Sequence, residues 1–155
     1  MPTIVSTIIE VCIFRFCENH PEYLVLKRSQ NDTLYPGIWQ IVTGTIHDGE
    51  KADNAALREL AEETGLTPQR FWTVPHANVF YSRTDDAMHL GPMFAVQVDP
   101  HAEPRLSAEH ETCAWLSFDE TLRRLVWPGQ RRGIEIVEQF IAGGEEAMRL
   151  GLIPL

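Results

Sequence analysis

Residues 44–66, GTIHDGEKADNAALRELAEETGL, are the most informative stretch of the chain. The Ala and Leu residues of its second half are strong helix formers. Asp53 would lie in the first turn, where the helix dipole favours an acid, and Gly65 stands where helices end in a left-handed residue. Pro68 prevents the helix from resuming, so the stretch predicts one helix that ends before Gly65. Four apolar residues are largely outside the acidic face and are predicted to pack inward: Ala56, Leu57, Leu60 and Ala61.

Three carboxylates share one face of this predicted helix, because Glu59, Glu62 and Glu63 stand at i, i+3 and i+4. Like charges at this spacing cost roughly 0.2–0.5 kcal/mol per pair on an exposed helix. Arg58 and Lys51 neutralise only part of that charge. A magnesium ion would compensate better, since it takes oxygen ligands and commonly bridges carboxylates to a substrate phosphate. Taken alone, the three glutamates favour the simpler interpretation of a solvated acidic face.

The complete stretch changes that balance, because it follows the pattern Gly-x5-Glu-x7-Arg-Glu-Leu-x-Glu-Glu-x-Gly-Leu at every signature position. This pattern resembles the Nudix box, and so many residues at fixed spacings make the match specific. The resemblance implies a loop–helix–loop that binds magnesium, or manganese as an alternative ion, together with the diphosphate of a nucleoside diphosphate-linked substrate. It also implies an α/β (α+β) fold, in which a curved mixed β-sheet is sandwiched between α-helices.

The resemblance further implies roles for residues of the box. Glu59, Glu62 and Glu63 would bind the metal and act in catalysis. Arg58 would orient these carboxylates by ion pairing, and Glu50 would support the substrate site.

Residues around the box are also candidates for the site. Gly44 would let the backbone approach closely, and the Thr43 carbonyl would be an additional metal ligand. Glu109, in a loop before a strand, is the candidate for metal binding or general base, with Glu111 as the alternative and a solvated loop acid as the simpler interpretation. Arg28 is a candidate for binding phosphate, because a guanidinium fork suits phosphate oxygens. Lys27 is the alternative, and a solvated charge at the strand end is the simpler interpretation.

Aromatic residues are candidates for the ring of a substrate, although aromatic side chains usually belong to the core. Trp39 is the favoured stacking residue. The other aromatic candidates for lining a pocket are Phe80, Tyr81 and Trp127.

Composition bounds the class of protein. The 155 residues are 44% hydrophobic and 23% charged, as expected of one globular domain over residues 1–155. The formal net charge of −9 argues against general affinity for nucleic acid backbones, while a bound metal would still admit a small anionic substrate. No apolar run is long enough to span a membrane, no basic leader precedes the first strand, and the three cysteines match no zinc pattern. We therefore expect a cytoplasmic protein without a membrane partner.

The rest of the chain alternates strand and helix patterns. Strands are predicted at residues 3–16, as one strand or as two with a bend, and at 22–28, 38–43, 71–83, 88–98 and 111–116. Helices are predicted at 118–126, with Asp119 as N-cap, at 130–141, and as one turn at 145–150. Gly91-Pro92 is expected to produce a bulge or an edge.

Beyond the box, several segments resemble the bacterial dATP pyrophosphohydrolases, also described as dihydroneopterin triphosphate pyrophosphatases. The segments are Leu26-Lys27-Arg28, residues 39–44, Glu109-His110 with Trp115-Leu116, and residues 137–140. This resemblance implies hydrolysis of a dATP-like or dihydroneopterin triphosphate to the monophosphate and pyrophosphate, and it admits a homodimer. Two alternatives stay open: hydrolysis of dinucleoside polyphosphates or nucleotide sugars by the same box, and a catalytically silent nucleotide sensor.

Overall fold

The computed structural model describes the backbone of residues 1–155 and every side chain except that of Glu145. The strands are β1 Thr3–Val5, β2 Ile8–Cys17, β3 His20–Arg28, β4 Trp39–Gln40, β5 Val42–Thr45, β6 Pro68–Ser82, β7 Ala87–Val98, β8 His110–Leu116 and β9 Leu152–Ile153. The α-helices are α1 Ala52–Thr64, α2 Phe118–Arg124, α3 Pro128–Ile136 and α4 Glu145–Leu150. Within this described part of the chain, no helix is both long and apolar enough to cross a membrane.

The strands form one mixed sheet whose main path runs β4-β3-β2-β7-β6-β9. The pairs β2–β7 and β1–β7 are parallel, whereas β2–β3, β6–β7 and the other pairs are antiparallel. Strand β5 pairs with β2, and β8 pairs with β3. The expected fold class, a mixed sheet between helices, is confirmed.

Alternation along β2 sends side chains into two separate cores, because successive residues of a strand point to opposite faces. Val11 is buried on one face together with Leu60 of α1. Cys12 is buried on the other face together with Ile134 of α3. Helix α1, the box helix, and the C-terminal helices therefore cover opposite faces of the sheet. Of the α1 residues predicted to pack inward, Ala61 is instead exposed.

Turn geometry explains where the predicted strand bounds change. The hairpin between β2 and β3 turns on Glu18 and Asn19, whose φ angles are 49° and 65°, and β3 therefore begins earlier than the pattern predicts. Strand β7 continues through Pro92, which pairs with Ala77 of β6. The irregularity lies instead in the facing strand β6, between Thr73 and Ala77.

The C-terminal third differs from the sequence prediction at three points. Ser117, not Asp119, is the N-cap of α2, because the Ser117 hydroxyl accepts the Glu120 N–H while the Glu120 carboxylate accepts the Ser117 N–H. Helix α3 begins with Pro128 in its first turn and continues as a π-helical segment, Val137–Ala142. The short strand β9, which pairs with Phe71 and Trp72 of β6, was not predicted.

Candidate active site

Helix α1 is placed against the sheet by close contact between Gly44 and Glu59. The helix ends at Gly65, whose φ is 64° and whose N–H donates to the Ala61 carbonyl. Strand β5 brings Gly44 so close to α1 that a Cβ at position 44 would collide with Cγ and Cδ of Glu59. Only glycine leaves room for this close approach, and the contact places the Glu59 side chain against the sheet.

Arg58 holds the loop before α1 and two of the three box carboxylates together. Its Nε and Nη2 donate to the two oxygens of Glu50, each at 2.9 Å, and Nη1 donates to Glu59 at 2.7 Å and to Glu62 at 3.3 Å. Nη2 also donates to the Thr45 carbonyl at 2.8 Å. The Arg58 hydrogen bonds, followed by the His47 N–H, lower the pKa of Glu50 to about 2. Arg58 therefore contacts Glu50, Glu59 and Glu62 at the same time.

Glu63 is the buried member of the three carboxylates. The residue is only 3% exposed, and its Oε2 has no hydrogen-bond partner among the described residues. Burial, followed by the negative charges of Glu109 and Glu59, raises the pKa of Glu63 to about 9, while Arg28 opposes the shift. The structure thus brings Glu109 and Arg28 into the electrostatic neighbourhood of the box helix.

His110 lies beside Glu63, and Gln40 lies beside His110; neither residue had a predicted role. His110 Nδ1 is 3.8 Å from Glu63 Oε2, and His110 Nε2 is 3.3 Å from the Gln40 amide nitrogen. Burial, followed by the Arg28 charge, lowers the pKa of His110 to about 4, so the imidazole is neutral at pH 7. The sequence signals were weak: a histidine directly after Glu109, and a glutamine within an apolar strand.

The donor set of this site fits a hard divalent cation. Glu59, Glu62 and Glu63 supply carboxylate oxygens, which are the ligands that magnesium prefers. Glu63 is only 3% exposed, and a cation would offset the cost of burying its charged carboxylate. The three carboxylates do not converge in their present arrangement: among the described side chains, no three His, Cys, Asp or Glu residues meet as a metal-binding group. Arg58 instead donates hydrogen bonds to Glu59 and Glu62. A cation that binds these two carboxylates must therefore use oxygen lone pairs that Arg58 leaves free or releases.

The charged candidates on β3 and β8 have distinct partners. Arg28 pairs with Asp32 and donates through Nε to the Leu34 carbonyl at 3.0 Å. Lys27 pairs with Glu111 at 2.8 Å, which engages the alternative general base in an ion pair. Two of the five N–H groups of Arg28 are thereby used, and the others are available to an anion.

The aromatic candidates are divided between two regions. The Arg124 guanidinium lies 4.7 Å from the ring centroid of Trp39, so one face of that indole is covered. Trp127 contacts Tyr35, an exposed residue of the β3–β4 loop, with ring centroids 5.0 Å apart. The two remaining candidates, Phe80 and Tyr81, are exposed on β6 toward the β6–β7 turn.

A buried polar cluster on the opposite face of the sheet was not predicted. Glu10, only 2% exposed, accepts hydrogen bonds at Oε1 from Asn78 and Gln130, each at 3.1 Å. Gln130 also accepts the Ile41 N–H and donates to the Thr43 hydroxyl at 3.4 Å. This cluster fixes the backbone that leads into Gly44, the residue against which Glu59 packs.

The sequence model of the NUDIX domain matches residues 7–137. The chain belongs to the Nudix family. Membership makes it a Nudix-type phosphoanhydride hydrolase, and the family as a whole uses divalent cations.

Three relatives show how far this likeness extends. A match that is 37% identical over 100 residues, to an octanoyltransferase of Myxococcus xanthus, covers 64% of this Nudix chain but only 28% of that protein. Nucleoside triphosphatase NudI of Escherichia coli (strain K12) is 24% identical over 110 residues, which is 66% of this chain and 78% of NudI. The structure of the E. coli dihydroneopterin triphosphate pyrophosphohydrolase shares the fold, with a TM-score of 0.70, 21% identity, and coverage of 89% of this chain and 99% of that one.

Proposed function

We propose that this Nudix chain is a magnesium-dependent pyrophosphohydrolase. Its substrate would be a dATP-like nucleoside triphosphate or dihydroneopterin triphosphate, and its products the monophosphate and pyrophosphate. The observation that carries the proposal is that α1 holds the buried Glu63 and also Glu59, which packs against Gly44. The charge of Glu109 also raises the pKa of Glu63. The names of NudI and of the dihydroneopterin triphosphate pyrophosphohydrolase support a triphosphate as substrate.

Glu59, Glu62 and Glu63 would hold the cation, with the Thr43 carbonyl as a further ligand. Magnesium, when bound, would neutralise the diphosphate and lower the pKa of a coordinated water. Arg58 anchors Glu59 to Glu50, so the carboxylate need not reorganise when charge develops on the phosphates.

Glu109 would act as the general base. After burial, the negative charge of Glu109 does most to raise the pKa of Glu63, whereas the Glu111 carboxylate is paired with Lys27. Glu109 would take a proton from the attacking water while the oxygen of that water bonds to the α-phosphorus. The bond between that phosphorus and the bridging oxygen to the β-phosphate would break, and pyrophosphate would leave.

Arg28 and Trp39 would bind the remaining parts of the substrate. Arg28 keeps N–H groups available and lies close enough to Glu63 to affect its pKa, which suits contact with a phosphate oxygen. Trp39 would stack on the heterocycle with the indole face that Arg124 leaves free.

Hydrolysis of dATP and of dihydroneopterin triphosphate in heavy-oxygen water with magnesium tests this reaction. Attack at the α-phosphorus places the label in the monophosphate and leaves pyrophosphate unlabelled. Primary release of orthophosphate would contradict this attack site. Turnover of diadenosine polyphosphates alone would favour the dinucleotide alternative, and nucleotide binding without turnover in magnesium or manganese would favour a sensor.

Glu63→Gln is the matched variant for this assay, because it keeps the shape of the side chain but cannot ionise to bind a cation. We expect kcat to fall by at least about a hundredfold with little change in thermal stability, as when an electrostatic catalytic group is lost. Near-normal turnover in a folded Glu63→Gln variant would show that Glu63 does not act in catalysis.

A further inference from the structure

Two buried atoms without hydrogen-bond partners face each other behind the box helix. His110 Nδ1 and Glu63 Oε2 are 3.8 Å apart, and their side chains are 1% and 4% exposed. Neither atom has a hydrogen-bond partner among the described residues. Because a buried polar group without a partner costs free energy, an approach of under about 1 Å that forms a hydrogen bond between them would be favourable.

Gln40 determines which nitrogen of His110 carries the proton. The Gln40 amide nitrogen is 3.3 Å from Nε2, and an amide nitrogen can only donate. Nε2 must therefore accept, which leaves the proton of the imidazole on Nδ1, directed at Glu63. Strand pairing holds both groups in place, since Gln40 pairs with Leu26 and His110 with Arg28 on the same strand β3.

We propose that His110 is a positioning residue for the cation site, donating its Nδ1–H to Oε2 of Glu63 while Gln40 fixes the tautomer. This inference depends on the proposed function, in which Glu63 binds the cation. With Oε2 held by His110, the Glu63 carboxylate would be fixed in one orientation when it binds the cation. Partners of this kind usually contribute a factor of about 10–100 in metal affinity.

A purely structural role for His110 predicts a different ranking of variants. If the ring only fills space, His110→Leu should be tolerated, and His110→Asn should be worse because it leaves a cavity. If the Nδ1–H is the functional group, His110→Asn should bind the cation better than His110→Leu, because the asparagine amide donates from nearly the same place as Nδ1. His89, whose Nδ1 is also buried without a partner in the described part of the chain, lies on β7 beside Asp85 and provides the matched control.

The experiment is a calorimetric titration of each full-length variant with manganese, together with the thermal midpoint. We expect His110→Leu to weaken manganese binding by about 10–100-fold, His110→Asn to recover most of that loss, and His89→Leu to bind like the parent. Equal affinity of the parent and His110→Leu would overturn the proposal, as would a His110→Asn variant that folds but binds no better than His110→Leu.

Nitrogen NMR of the imidazole in the unsubstituted chain tests the tautomer without any variant. A proton on Nδ1 of His110 is expected, and a proton on Nε2 would overturn the assignment. Glu63→Gln separates this inference from the proposed function. If Glu63→Gln binds manganese normally, the assignment of Glu63 as a cation ligand fails. If Glu63→Gln loses manganese binding while His110→Leu keeps it, only the positioning role of His110 fails.

Discussion

The contact between Gly44 and Glu59 allows a quantitative test of how the box helix is seated. Gly44→Ala adds one methyl group at a position whose φ is not in the left-handed region, so backbone strain does not contribute. The new Cβ meets three atoms of a single side chain, Cγ, Cδ and Oε1 of Glu59. Overpacking of this size costs about 1–3 kcal/mol, because the helix or the side chain must move.

A double-mutant cycle with Glu59→Ala isolates that contact. Glu59→Ala removes all three colliding atoms, so Gly44→Ala should cost little in that background. The expected coupling free energy is about 1–3 kcal/mol, measured by urea unfolding of the parent, the two single variants and the double variant. Gly44→Ala alone should also lower kcat, since it displaces Glu59. An equal cost of Gly44→Ala in both backgrounds would refute the reasoning.

Two further predictions concern the two faces of the sheet. Leu60→Ala should cost about 2–5 kcal/mol in unfolding free energy because Leu60 is fully buried, while Glu59→Gln should cost much less; the opposite ranking in thermal melts would mean that the helical phase is wrong. Burial raises the pKa of Glu10 above its ordinary value of 4.5. The contribution of Glu10 to the unfolding free energy is therefore fully present below pH 4.5, and it is lost as the pH rises through the pKa of the folded state. The stability of Glu10→Gln relative to the parent should therefore increase with pH above 4.5, and a difference that is flat from pH 4 to 8 would contradict this.

The box helix could be predicted from sequence because its determinants are local. Alanine-rich composition, the C-terminal Gly65 and the charge spacing all lie within one segment, and the structure gives the same helix, Ala52–Thr64. The strand patterns likewise located most of the sheet. Their bounds changed where side-chain hydrogen bonds or left-handed residues determine the ends, as at Ser117 and in the turn at Glu18 and Asn19.

The partners of the site could not be predicted, because they come from distant parts of the chain. Gln40 and His110 meet only because β4 and β8 both pair with β3. Glu10 and Gln130 are 120 positions apart and meet only once α3 packs on the sheet. Periodicity identifies which face of an element is apolar, but it does not identify which polar residue of another element will lie against it.

Helical phase explains why three carboxylates that look equivalent in the sequence differ in the structure. With about 100° of rotation per residue, Glu63, Glu59 and Glu62 lie about 60°, 100° and 160° from Leu60, which is fully buried. Their side-chain exposures follow that order, at 4%, 12% and 59%. The residue nearest the core, Glu63, therefore carries the largest desolvation cost and gains most from a cation, whereas Glu62 keeps its hydration. The phase of one helix thus places the three carboxylates at different depths, from the buried Glu63 to the solvated Glu62.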